Sequence, residues 1–232
     1  MDQHPLGLKI AIIGNGPSRS LYKEHFREEN WDVVIGTNVF DEELTEIKYT
    51  VCADAQAVIS FRNRPNRDRL ETFKFVLSGR AHYGSSKCKN RPASPDTFRD
   101  YLDANDHIEE VVDYRNIPKE CSEKQKYFSS GHLAFWWAHT KYPGADIHLF
   151  GFDSVFTGTC SQTYSDRDVS ATTTQPPIRT VYDEIGGQAV TWNEYWQILL
   201  NDYSEFGTVT FHGVEGDRQP EFSHKTLRVI LT

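Results

Sequence analysis

Residues 9–26 read KIAIIGNGPSRSLYKEHF, and the abrupt change of character inside this stretch decides the fold. Lys9–Ile13 is a short, largely β-branched run without polar alternation, the pattern of a strand buried on both faces. Gly14-Asn15-Gly16-Pro17-Ser18 ends it, and an amphipathic helical pattern follows over Arg19–Glu28. Strand, glycine turn and helix in that order form the first half of a β–α–β unit, whose crossover is right-handed and whose sheet is parallel.

The same punctuation recurs outward from that unit. Asp32–Ile35, Tyr49–Cys52 and Phe73–Leu77 read as further strands, with a short helix over Asp41–Glu46. After Val111–Tyr114 the pattern sharpens again, and Ser130 is expected to cap a helix running through His139. DIHLFGFD (146–153) is a buried strand that again ends on a glycine turn. Trp192–Tyr203 has helical periodicity, and Thr208–Phe211 and Thr226–Leu231 read as closing strands. No internal repeat is present. The expected fold class is α/β: a Rossmann-like, mostly parallel twisted sheet with helices on both faces. We expect a single nucleotide-binding domain over residues 1–232, interrupted by a basic, irregular insertion at 62–106 and a lid over 154–190, where periodicity is lost.

At 232 residues and 38% apolar content the chain can fill one full core but hardly two. It contains no apolar run approaching the roughly 20 residues of a membrane span, and its N-terminus lacks a basic-then-apolar leader; a cytoplasmic location is expected. Cys52, Cys88, Cys121 and Cys160 have neither CxxC nor zinc-finger spacing, which favours reduced structural thiols. The net charge is −8, but nine basic residues against two acidic ones at 62–91 give that segment +7 and leave −15 for the rest. Such asymmetry points to a polyanionic partner or leaving group near the segment, or to a solvated basic loop.

In an open α/β sheet, ligands sit beyond the carboxyl ends of the strands. The Gly14–Ser18 turn occupies such a position: its glycines allow close backbone approach, Pro17 suits a first helical turn, and Ser18 adds a donor. It is neither the GxGxxG fingerprint nor a Walker loop. Two readings stand, a cradle for a phosphate or nucleotide and a tight strand-to-helix turn.

Taken together, IIGNGPS (12–18), GTN (36–38), SSG (129–131) and LFGFD (149–153) make the chain resemble the small bacterial sialyltransferases that use CMP-sugar donors. The resemblance covers most of residues 9–153 in the right order. It implies a GT-A-like domain, a CMP-sugar or UDP-sugar as co-substrate rather than a separate cofactor, and inverting transfer to a hydroxyl without a metal. Carried over residue by residue, it would set Asn15 and Gly16, with Pro17 and Ser18, at the donor phosphate and ribose, and Asn38 near the phosphate or sugar. Ser129, Ser130 and Gly131 would hold cytidine and ribose, Gly151 and Phe152 would wall the base, and Asp153 would close the strand end.

The chain departs from the family at the base. The resembled enzymes use a His just before a late helix; here DEIGGQAVTWNEYW (183–196) has none, and Gln188 is the nearest match. An inverting transfer still needs a group that takes the acceptor proton. Asp54, directly after the third strand, is the first candidate and could equally be a helix N-cap; His132, beside the Ser-Gly turn, is the second. Tyr164 in the lid could donate to the departing phosphate. The DRD at 166–168 lacks the apolar strand that precedes a metal-binding DxD, so no metal is expected. Phe135, Trp136, Trp137, Trp192 and Trp196 could stack on a sugar or base, with core packing expected for at least one of the adjacent tryptophans.

Arg62, Arg64, Arg67, Arg69, Arg80, Lys87 and Lys89 are the acceptor-side candidates. The resembled enzymes act on lipid-linked glycans through a basic amphipathic tail; SHKTLRVILT (223–232) is too short for that. A basic strip interleaved with Phe73, Phe75 and Tyr83 therefore admits a second acceptor, DNA carrying hydroxymethylated bases, modified after a base leaves the stack. A third reading keeps the nucleotide pocket without the chemistry, as a binding or sensing module.

Overall fold

The computed structural model describes residues 7–38, 44–53, 74–78, 108–122, 128–157, 183–185, 188–190, 192–203, 207–215, 220 and 223–232. Within them, eight strands form one sheet: β1 (Lys9–Ile13), β2 (Val33–Thr37), β3 (Tyr49–Cys52), β4 (Lys74–Ser78), β5 (Ile108–Val112), β6 (Asp146–Phe150), β9 (Val209–Gly213) and β10 (Leu227–Leu231). Their spatial order is β10-β9-β6-β1-β2-β3-β4-β5. Every pairing in it is parallel. The chain walks outward from β1 to β5, then returns to the other side of β1 with β6. The strand order therefore reverses between β1 and β6, the place where α/β sheets take their ligands.

The inner strands β1, β2 and β3 are nearly continuous apolar runs because both faces are covered, whereas the edge strands β5 and β10 carry charged, exposed positions. Ile10 and Ile12 of β1, Ile147 and Leu149 of β6, and Val209 and Phe211 of β9 face one core, shared with α2 (Ser130–Lys141) and α4 (Trp192–Asn201). Ala11, Ile13, Val34 and Phe150 face the other, filled by Leu21, Tyr22, Leu44 and Ile47 with Phe26 and Trp31 against it. Each fully buried isoleucine contributes about 1.5–3 kcal/mol. α2 is buried from Ser130 through His139, as befits a helix apolar on nearly all sides. The remaining helices among the described residues are the single turns α1 (Lys119–Ser122) and α3 (Ser154–Thr157).

Several expectations need adjusting. Arg19–Glu28 is a 3₁₀ turn, Pro17–Arg19, followed by a π-helical turn, Tyr22–Phe26, rather than a regular α-helix. β5 (Ile108–Val112) is a strand not expected from the sequence, and a 3₁₀ turn over Tyr114–Asn116 follows it. The α2 cap is Ser129, not Ser130: its side chain accepts from His132 N, and the His132 ring reaches back to the Ser129 backbone. The lid interval starts with α3 and ends in a hairpin, β7 (Asp183–Ile185) with β8 (Gln188–Val190). Residues 39–43, 54–73 and 79–107, which include half of the expected Asp41–Glu46 helix and most of the basic insertion, lie outside the described residues; the described half, residues 44–46, is not helical.

Cys52 and Cys121 are buried, and burial pushes the Cys121 thiol up to about 12, which suits a structural role. Cys88 and Cys160 lie outside the described residues. Among the described residues no helix is long and apolar enough to cross a membrane.

Candidate functional site

At the carboxyl edge, the turns after β1 and β6 do not diverge. Gly14 N donates to Phe150 O at 2.7 Å and Gly16 N to Gly151 O at 2.9 Å, so the strand pairing continues into the loops. Gly151, in the left-handed region at φ 77°, turns its N–H onto Ser18 Oγ at 3.1 Å. The Asp153 carboxylate then accepts from Ser18 N at 3.0 and 3.2 Å and from Ser18 Oγ at 3.0 Å. The donors read from sequence as a phosphate cradle are thus directed at a carboxylate of the chain itself. Both ends of this clasp are buried, Ser18 fully and Asp153 at 8% exposure.

Close approach explains the glycines. A Cβ on Gly14 would stand 2.4 Å from Gly151 O, and one on Gly16 would stand 1.9 Å from Asp153 Oδ2. On Gly131 it would meet the Phe152 ring at 2.6 Å. Phe152, expected to wall a base, is seated instead on the first turn of α2, with Trp196 and Phe211 edge-on to it at 5.7 and 6.3 Å.

A second set of hydrogen bonds crosses the ends of β1, β2, β3 and β4. Arg19 Nη1 donates to Asn15 Oδ1 at 3.2 Å, and Asn15 Nδ2 donates to Thr37 O at 2.9 Å. Ser130 Oγ donates to Asn38 Oδ1 at 3.1 Å while accepting from Ala53 N at 2.8 Å. Ser78 Oγ donates to Ala53 O at 2.8 Å. These bonds give the edge a fixed floor of amides and hydroxyls. Of the residues assigned to the donor, Asn15, Pro17, Asn38 and Ser129 keep solvent exposure; Gly16, Ser18, Ser130, Gly131, Gly151, Phe152 and Asp153 are buried.

Asn38 sits at φ 55°, a conformation that asparagine tolerates better than other side chains. Asn38→Ala should lose both the backbone tolerance and the Ser130 bond, costing about 1–2 kcal/mol in urea unfolding. Asn38→Gly should recover the backbone share, and a glycine variant weaker than the alanine one would refute this account.

Other candidates are placed away from the crevice. His132 is 1% exposed, bound through Nδ1 to Ser129 Oγ at 2.8 Å and enclosed by Phe128, Tyr195 and Trp196 at 5.5, 5.4 and 4.7 Å. It caps α2 and packs in the core, a placement that lends no support to the expectation that it takes an acceptor proton. Phe135, Trp136, Trp137 and Trp196 are likewise core residues rather than sugar platforms; Trp137 packs on Tyr49 at 5.0 Å and donates to Glu110 Oε2 at 2.7 Å. Asp54, Tyr164, the DRD at 166–168 and the acceptor-side Arg62, Arg64, Arg67, Arg69, Arg80, Lys87 and Lys89 lie outside the described residues. Among the described residues no group of three or more His, Cys, Asp or Glu is placed to hold a metal ion.

Compared with known protein families, curated proteins and solved structures, the chain gives no match. The motifs and their arrangement at the sheet edge therefore carry the functional reading by themselves. The Asp153–Ser18 clasp is not legible in the sequence, where Asp153 and Ser18 are separated by 135 residues. Its only signal there is that two glycine turns follow two buried strands.

Proposed function

We propose that the chain is a glycosyltransferase with a GT-A-like domain that binds a nucleotide-activated sugar, a CMP-sugar or a related pyrimidine nucleotide sugar, and passes the sugar to an acceptor hydroxyl with inversion. One observation carries this reading. Four motifs spread over residues 12–153 meet at the edge where the strand order reverses: Gly14 and Gly16 against Gly151 and Asp153, Asn15 on Thr37, Asn38 on Ser130, and Gly131 on Phe152. The half-buried amides of Asn15 and Asn38, held in place beside the first turn of α2, suit the hydroxyls and ring edges of a nucleoside. In the transfer, a base takes the acceptor proton, the acceptor oxygen attacks the anomeric carbon, and the nucleotide leaves with the bonding pair. Asp54 follows Ala53, whose N–H is fixed on Ser130, and is our candidate for that base. The charge of segment 62–91, +7 in sequence, is what supports an acceptor that is a glycan or a hydroxymethylated base in DNA.

Titration of the protein with CMP, UMP and UDP tests the donor site. One of the three should bind selectively, and Asn15→Ala should weaken it about tenfold, the worth of one good polar contact, with the thermal midpoint checked in parallel because Asn15 also holds Thr37. Failure of all three to bind the unaltered chain would remove the reading. The second reading, a nucleotide-binding module without chemistry, is favoured by the burial of His132 and by Gln188 standing on β8 where the resembled enzymes have a His. Nucleotide binding without donor turnover, together with activity gained in Gln188→His, would decide for it.

A further inference from the structure

On the sheet face opposite α2, β6 and β9 bring two histidines together. His148 Nδ1 and His212 Nε2 are 2.9 Å apart, with the rings stacked at 22°. Phe150 stacks on His212 at 4.1 Å, Phe26 closes over it at 4.6 Å, and Trp31 stands edge-on to His148 at 5.1 Å. His212 is fully buried, and among the described residues its Nδ1 has no hydrogen-bond partner.

This geometry has room for one proton between the rings and none for a second. The less costly arrangement has His212 Nε2–H donating to His148 Nδ1, since it leaves only an unmatched acceptor at His212 Nδ1. A further proton on His148 would set two N–H groups head to head. A further proton on His212, or a reversal of the central bond, would bury an N–H with no acceptor, a cost of the full desolvation penalty. The charged groups around the pair do not relieve this. Lys9 on β1 and Arg228 on β10 oppose a positive charge on His148, while Glu29 and Asp146 favour it; Lys9 also opposes one on His212. Burial is the largest cause in both, lowering His148 to about 4 and His212 to about 3.

The ring that covers the pair belongs to a segment tied to the clasp. Phe26 ends the π-helical turn Tyr22–Phe26, which runs on from the Pro17–Arg19 turn carrying Ser18, and Phe150 immediately precedes Gly151. We propose that the His148–His212 pair is an acid-sensitive latch: while both rings are neutral it holds the Tyr22–Phe26 turn on the sheet, and a second proton releases that turn and loosens the Ser18–Asp153 clasp. The inference does not rest on the proposed transferase activity.

Hydrogen exchange of the full chain, expressed as protection factors for peptides covering residues 19–28 and 49–52, tests the latch. Between pH 7 and pH 5, protection of 19–28 should fall by at least about tenfold while β3 keeps its protection, as local opening below the global transition requires. His212→Phe, which keeps an aromatic ring but cannot titrate, should hold 19–28 protected at pH 5. Retained protection at pH 5 in the unaltered chain, simultaneous loss from both peptides, or the same fall in His212→Phe would each overturn the latch. Should that variant not fold, nitrogen-15 imidazole spectra of the unaltered protein take its place. Both rings should stay neutral until residues 19–28 open, and a His148 that titrates near its ordinary value with the turn still protected refutes the latch.

Discussion

Gly14→Ala is expected to cost at least about 3 kcal/mol of stability, among the largest effects of any single substitution in the described residues. The added methyl would lie 2.4 Å from Gly151 O and 3.2 Å from the Phe152 ring. Gly151 cannot retreat, because Gly14 and Gly16 are bonded to the Phe150 and Gly151 carbonyls, and its own φ of 77° is held by the N–H bond to Ser18. Gly16→Ala differs in kind. Its first obstacle is a side-chain atom, Asp153 Oδ2 at 1.9 Å, with Gly151 O behind it at 2.8 Å. Removing the carboxylate with Asp153→Ala should therefore return part of the loss in Gly16→Ala, by about 1 kcal/mol or more of coupling, and return none of it in Gly14→Ala. Urea midpoints of the single and double variants provide the check. Gly14→Ala unfolding within about 1 kcal/mol of the unaltered chain would mean that the two loops are not interlocked.

A glycine cleared for a ligand and a glycine cleared for a neighbouring loop are the same letter, and this ambiguity marks how far the sequence can be read. The strand–turn–helix order and the parallel sheet follow from local patterns: doubly buried runs, glycine punctuation and helical spacing; the reversal of strand order around β1 does not. The convergence of GNGPS, GTN, SSG and GFD at one edge follows as well, since each lies at a strand or helix end. What the turn donors face does not follow, because Asp153 reaches Ser18 only through the β1–β6 register. The cap of α2 is displaced by one residue from its expected place because Ser129 and Ser130 are both competent caps, and a His replaces the Glu or Gln that usually completes the box at the third helical position. The Gly186-Gly187 pair between β7 and β8 is a recognised hairpin signal, hidden inside a stretch that otherwise reads as a lid. The His148–His212 pair is wholly a product of register, since β6 and β9 become neighbours only when the strand order reverses.

Acid should destabilise the chain well above the range in which its carboxylates titrate. His139, on the buried length of α2, is lowered to about 4 by burial, an effect that Asp202 only partly opposes, and among the described residues its Nε2 has no hydrogen-bond partner. With His212, lowered to about 3, and His148, lowered to about 4, it forms a set whose folded-state values lie below the ordinary histidine value near 6.5. In the unfolded chain these rings accept protons as the pH falls through 6.5, while in the fold they do not, so the unfolded state binds more protons. Stability is fully present above about pH 6.5 and is lost progressively as the pH falls toward about 4. Between pH 7 and pH 5, His139 and His212 should each remove about 2 kcal/mol, roughly 4 together, because one pKa unit is worth about 1.4 kcal/mol. Half-buried His148 adds less, as solvent screens its charge. His139 is remote from the histidine pair, so His139→Phe should return its own share of about 2 kcal/mol at pH 5 and leave the opening of residues 19–28 unchanged. Urea unfolding at pH 7, 6 and 5 measures both quantities. A stability that stays flat from pH 7 to pH 5 would show that these rings titrate in the folded chain as freely as in the unfolded one, and both the linkage and the latch would fall with that result.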